Sequence, residues 1–182
     1  MSKILITGTG RCGTTFLIKL FSFLGFDTGF NKDNYANFIF NSCNAGMEKQ
    51  ITAENYVLKN PCFIKDIQYI IDNYKIKFVI IPIRNYDESA KSRVFHGEKC
   101  GGLWNANDHS SQKNFFHEIM ANYIYYMTKF EIPTIFLDFD KMTNEPYYLY
   151  DKLKFILQEK NITYTEYIKE FNLANDTSKP QK

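Results

Sequence analysis

The sequence predicts an α/β chain: a three-layer α/β/α domain with a mainly parallel central sheet over residues 1–182. Three observations predict it. Short apolar runs alternate along the whole chain with segments of helical period. The longest run, residues 77–83, is apolar at nearly every position, as a strand buried on both faces must be. The first run passes through a glycine turn directly into a helix, the junction of a parallel αβ unit. No internal repeat, low-complexity tract or linker divides the chain.

The opening stretch holds the most information. Ile4, Leu5 and Ile6 read as a buried strand, and Gly8, Gly10 and Gly13 make the turn. Phe16, Leu17, Leu20, Phe21 and Leu24 then recur at helical spacing, and Gly25 suits the C-terminal cap. Glycines let backbone approach a ligand, and the unpaired N–H groups of a helix's first turn attract an anion. Residues 26–60 lack a clean period. A short helix is expected from Thr52 or Ala53 to Leu58, and Asp27, Asp33 and Glu48 are the acidic candidates here.

A second strand is expected over residues 62–66, ending in Lys65 and Asp66. Ligands of open parallel sheets lie beyond the carboxyl ends of the strands, which puts Lys65 within reach. The third strand, 77–83, runs into Arg84, and a helix from about Tyr86 would align Ser89, Ser92 and Arg93 on one face. Residues 96–109 read as a long loop, a possible lid. His96 and His109 could serve as bases, but with Cys100 and Asp108 they lack a zinc-ligand spacing. Ser110 or Ser111 should start a long helix carrying Phe115, Phe116, Ile119, Met120, Tyr123, Ile124 and Met127 on its apolar side. A fourth strand follows at 134–140. Thr143 could cap a last helix that buries Leu149, Leu153, Ile156 and Leu157, and residues 171–182 read as a loosely ordered tail.

Composition excludes several classes. The chain is 45% hydrophobic and 23% charged with a net charge of +2, and no dense basic run points to nucleic acid. No stretch is long and apolar enough to span a bilayer, and the run after Lys3 is too short for a signal peptide. Four scattered cysteines, Cys12, Cys43, Cys62 and Cys100, fit free thiols in a reducing cytoplasm. Cys12 lies near an anion site and a helix N-terminus, which could acidify its thiol. It suits the turn as a small residue.

Gly8 and Gly13 stand in register with the phosphate loop G-x-x-x-x-G-K-[ST], but Thr14 replaces the lysine. The loop's cation is Arg11 instead. Arg11-Cys12-Gly13-Thr14-Thr15 resembles the 5′-phosphosulfate loop of sulfotransferases that use 3′-phosphoadenosine-5′-phosphosulfate (PAPS). Lys65-Asp66 resembles that family's strand-end lysine motif, with Ile67 where a proline is usual. Arg84 and, eight residues on, Ser92 resemble its 3′-phosphate site. A guanidinium and a hydroxyl are well matched to a phosphate monoester.

The resemblance implies a P-loop nucleotide-kinase-like sulfotransferase fold and PAPS as co-substrate, with no metal. Gly10, Arg11, Cys12, Gly13, Thr14, Thr15, Arg84 and Ser92 would bind it. Arg11 and Lys65 would stabilise the transferring sulfuryl group, and Glu48, ahead of Asp33 and Asp66, would take a proton from a hydroxyl of an unidentified acceptor. Two other classes compete. A nucleotide-dependent kinase or NTPase would use Asp138 to hold magnesium, and a non-catalytic module would bind the nucleotide alone.

Overall fold

The computed structural model describes residues 2–40, 42–97 and 108–176. Four parallel strands form the sheet, in the order β4, β1, β5, β6. They are β1 (Lys3–Ile6), β4 (Val57–Lys59), β5 (Ile76–Ile83) and β6 (Thr134–Asp138). Leu5 faces Leu58 on one side and Val79 on the other, and Ile80 faces Ile135, while the β1–β5 register shifts by one residue between Lys3 and Ile4. A separate two-stranded antiparallel hairpin, β2 (Ile39–Phe40) and β3 (Ala45–Gly46), stands apart from it.

Alternating side chains of the strands divide the core into two layers. Ile4, Ile6, Ile80 and Leu137 point to one face, where α1 (Thr14–Phe23), α6 (Pro146–Leu157) and α7 (Tyr164–Asp176) pack. Leu5, Leu58, Val79 and Ile81 point to the other, against α2 (Ile67–Asn73), α3 (Tyr86–His96) and α4 (His109–Lys129). The fold is therefore α/β with helices on both faces of a parallel sheet, as expected. A short helix, α5 (Phe139–Asn144), follows β6 immediately.

Side-chain caps explain the starts of α3, α4 and α5. Asn85 accepts from the backbone N–H of Asp87 at 2.9 Å and starts α3 where expected. Asp108 does the same for Ser111 at 2.9 Å, so α4 begins one or two residues before the serines that the sequence suggested. The fourth strand stops at Asp138 rather than 140, because the Asp138 carboxylate accepts from Lys141 N–H at 2.9 Å and turns the chain into α5. Thr143 lies inside α5 and caps nothing. Pro146 opens α6 at the position where a missing N–H costs least.

Three expectations fail. Residues 52–58 do not form a helix: the segment enters β4, whose partner β1 supplies the ladder that a propensity reading cannot see. Residues 62–66 are not a strand but a 3₁₀ turn, Pro61–Asp66, started by Pro61 and by Asn60 accepting from Cys62 N–H at 2.9 Å. The tail is not loose from 171. Helix α7 runs to Asp176, burying Tyr167, Phe171 and Ala174 at i, i+4 and i+7, with Phe171 edge-on to Phe16 at 5.6 Å. Only 177–182 fall outside the described residues there. Most of the 96–109 loop, 98–107, with Cys100 and Trp104, lies outside them too.

Candidate functional site

Because every strand of the main sheet is parallel, all their carboxyl ends share one edge. The connection reverses direction between β1 and β5, and ligands of such sheets bind at that crevice. A cavity of about 450 Å³ opens there. The loop after β1, the tips of β4 and β5, the start of α5 and the β2–β3 hairpin all contribute to its wall.

The floor is the glycine loop. Gly8, Gly10 and Gly13 have φ of 145°, 76° and 89°, and Arg11 joins them in the left-handed region at 56°. At Gly13 a Cβ would meet Met142 Cε at 2.6 Å and the Phe139 ring at 3.0 Å, so a side chain there requires both to shift. Gly13 ends the loop as the N-cap of α1, with no capping side chain. The first intrahelical bond is Leu17 N–H to Gly13 carbonyl at 3.2 Å. The amides of Thr14, Thr15 and Phe16 thus have no helical partner, and all three residues line the cavity.

Around that floor stand five cationic side chains, Arg11, Lys19, Lys59, Arg84 and Arg93, against a single carboxylate, Glu48, among the described residues. Arg11 is held on two sides: Nε donates to Ser92 Oγ at 3.2 Å and Nη1 to the Cys43 carbonyl at 2.6 Å. Arg84 donates from Nη1 to the Arg11 carbonyl at 3.4 Å, pairs with Glu88 at 3.2 Å, and lies over the Phe139 ring at 4.8 Å. Arg93 donates to the Thr9 carbonyl at 3.3 Å from beneath the loop.

The cations strain one another. Burial, then the Arg84 charge, lower the pKa of Arg11. Burial, then Arg11, push Arg93 down to about 10. Lys19, one helical turn beyond Thr15 and 1% exposed, is pushed down to about 8 by burial. Like charges are thus crowded together beside the N-terminus of α1.

Of the residues singled out from sequence, Gly10, Arg11, Gly13, Thr14, Thr15, Glu48 and Arg84 all line this cavity. Lys65 does not. It is exposed, on the 3₁₀ turn, and borders a separate surface depression beside Asp66. The lysine at the strand tip is Lys59, the last residue of β4, whose Nζ bonds Thr15 Oγ1 at 3.3 Å, the Gly46 carbonyl at 2.9 Å and the Glu48 carboxylate. The sequence carries the signal for it, Val57-Leu58-Lys59 before Pro61, although the expected helix obscured it. Lys19 and Arg93 gave no separate signal beyond their positions on helix faces.

Ser92 is half-buried behind Arg11 rather than in the cavity wall. Asp33 and Asp66 are exposed, and neither lines the cavity. Cys12 is wholly buried under the loop, and burial raises its thiol pKa, so no acidified thiol results. Cys12 and Cys62 are free thiols as expected. Cys43 is disulfide-bonded, contrary to the expectation of a free thiol, since cysteine pairing cannot be read from spacing alone. His96 is lowered by burial and by Arg11, and His109 Nε2 lies 3.1 Å from Asp87, a contact that pins the start of α4. No described helix is long and apolar enough to cross a membrane.

No family model, curated protein or solved structure matches this chain.

Proposed function

We propose that the protein is a PAPS-dependent sulfotransferase with a P-loop-like sulfotransferase fold, moving a sulfuryl group to a hydroxyl of an acceptor. One observation carries the reading. Arg11 and Arg84, the two cations that should grip opposite anionic ends of one nucleotide, line the same cavity and touch through the Arg11 carbonyl at 3.4 Å.

The residues fit the co-substrate. The free amides of Thr14, Thr15 and Phe16 suit a 5′-phosphate, and no loop lysine is needed to reach a third phosphate. Arg84, at the tip of β5, suits the 3′-phosphate, and Arg93 adds charge to the same cavity. Five cations against one carboxylate match a ligand with a phosphomonoester and a phosphosulfate. In the transfer, the acceptor oxygen bonds to sulfur as the bond from sulfur to the 5′-phosphate oxygen breaks, and adenosine 3′,5′-bisphosphate leaves. Arg11 and Lys59 stabilise charge on the oxygens around sulfur, with Lys59 in the part first assigned to Lys65. Glu48, the carboxylate in the wall, takes the acceptor's proton.

A kinase reading loses its best support, since Asp138 caps α5 and does not line the cavity. A non-catalytic module is favoured by one fact: the Glu48 carboxylate is ion-paired to Lys59. Thermal melts separate the three, because a ligand of the folded state raises Tm. Adenosine 3′,5′-bisphosphate should stabilise the protein more than magnesium-ATP. Preference for magnesium-ATP rejects the sulfotransferase reading, and stabilisation by the bisphosphate without sulfate transfer selects the module.

A further inference from the structure

Lys59 has no proton to spare. An ammonium group carries three N–H bonds. Three acceptors take them: Thr15 Oγ1, the Gly46 carbonyl and Glu48 Oε1. The side chain is 2% exposed, so water cannot stand in for a lost partner. Arg11 differs: among the described residues two of its five N–H groups are used, by Ser92 Oγ and the Cys43 carbonyl, and its side chain lines the cavity. An anionic oxygen that reaches Lys59 must therefore displace one of the three partners.

The three are not equally replaceable. The Gly46 carbonyl is fixed in the β2–β3 hairpin, where Met47 N–H bonds the Phe38 carbonyl at 2.9 Å. Thr15 sits in the first turn of α1, where the helix fixes its backbone and only its short side chain can turn. Glu48 is the one partner carried on a long, rotatable side chain, 41% exposed, so solvent can rehydrate it when it turns away. It is also the one partner that an incoming anion repels.

We infer that ligand binding makes Lys59 exchange Glu48 for an anionic oxygen of the ligand, so that the Glu48 carboxylate is released from its ion pair only when the site is loaded. The exchange moves hydrogen bonds alone: Lys59 stays protonated and no covalent bond changes. This rests on the nucleotide reading above, and it turns the ion pair that favoured a non-catalytic module into a latch. An unloaded protein keeps its base tied, and a loaded one presents it to the acceptor.

A double-mutant cycle in affinity tests it, with wild type, Glu48→Gln, Lys59→Met and the double variant titrated calorimetrically with adenosine 3′,5′-bisphosphate and with pyrophosphate. Glu48→Gln should tighten binding about tenfold when Lys59 is present, because the ion pair no longer has to break, and less than about twofold in the Lys59→Met background. Equal tightening in both backgrounds is plain charge repulsion and overturns the exchange while the nucleotide reading stands. A cycle seen with pyrophosphate, without bisphosphate binding, keeps the exchange and rejects the nucleotide. Failure of wild type and Glu48→Gln to bind either anion overturns both. Should Lys59→Met fail to fold, a crystal structure of the wild type with pyrophosphate decides: Glu48 still paired to Lys59 beside the bound anion sinks the exchange, and a separated pair supports it.

Discussion

Arg84 Nη1 donates to the main-chain carbonyl of Arg11 at 3.4 Å, which ties the tip of β5 to the glycine loop after β1. The bond falls on a non-glycine residue with a φ of 56°. A left-handed arginine persists only where its surroundings hold it, and strain of this kind gathers at ligand sites. Here Ser92, Cys43 and Arg84 hold it together. The two neighbouring strand tips thus bring their cations into one cavity rather than onto two separate surfaces.

Arg84→Ala should weaken adenosine 3′,5′-bisphosphate by about tenfold to a hundredfold, a charge-assisted contact's worth. Adenosine 5′-monophosphate, which lacks the 3′-phosphate, should lose far less. Titration calorimetry on both ligands checks it. Equal losses would remove Arg84 from the 3′-phosphate site and leave it a loop support.

Lys59→Ala and Lys65→Ala should behave oppositely. Lys65 is exposed and away from the cavity, so its loss should leave stability and nucleotide binding within a twofold margin, or about 0.5 kcal/mol. Loss of the buried Lys59 strips Thr15, Gly46 and Glu48 of a shared donor and should cost binding at least about tenfold. A binding defect in Lys65→Ala would return the strand-end role to Lys65.

Gly13→Ala should destabilise the fold by about 1–3 kcal/mol in urea denaturation, since the backbone has a φ of 89° and the new methyl would press on Met142 and Phe139. Gly25→Ala is the control: its φ is 76° but nothing lies within 4 Å of the added carbon, so only the backbone cost of about 1 kcal/mol applies. Similar losses at both positions would show that α5 yields to the loop.

The glycine loop and its flanking strand and helix were legible because their signals are local: three glycines, an apolar run and a helical period within two dozen residues. Arg84 was legible for the same reason, as the residue after the longest apolar run. Lys59 and Lys65 were not separable by pattern. Each follows two apolar residues, and only pairing with β1 selects Val57–Lys59 as the strand. Strands of two or three residues, such as β2, β3 and β4, are too short to show a period, so the hairpin wall could not be foreseen. Helix α7 does carry its period in Tyr167, Phe171 and Ala174, but polar residues dilute it, and its burial depends on α1 lying beneath.

Lys19 gives the pH dependence its sign. Burial pushes its pKa from the usual 10.5 down to about 8, so between those values the unfolded chain binds the proton more readily than the folded one. Stability therefore rises with pH through this window, as the cost of burying the charge disappears. The wild type should gain on Lys19→Met as pH climbs from about 8 toward 10.5, by at most about 3 kcal/mol and by less to the extent that water screens the group. Neutralising the same ammonium removes one cation from the cavity. Bisphosphate affinity in the wild type should accordingly fall above about pH 8, and Lys19→Met should lack that step. Urea denaturation and calorimetry on either side of that pH check both halves. A stability gap that stays flat, or moves toward the variant, would mean that the Lys19 ammonium is solvated and takes no part in the cationic wall.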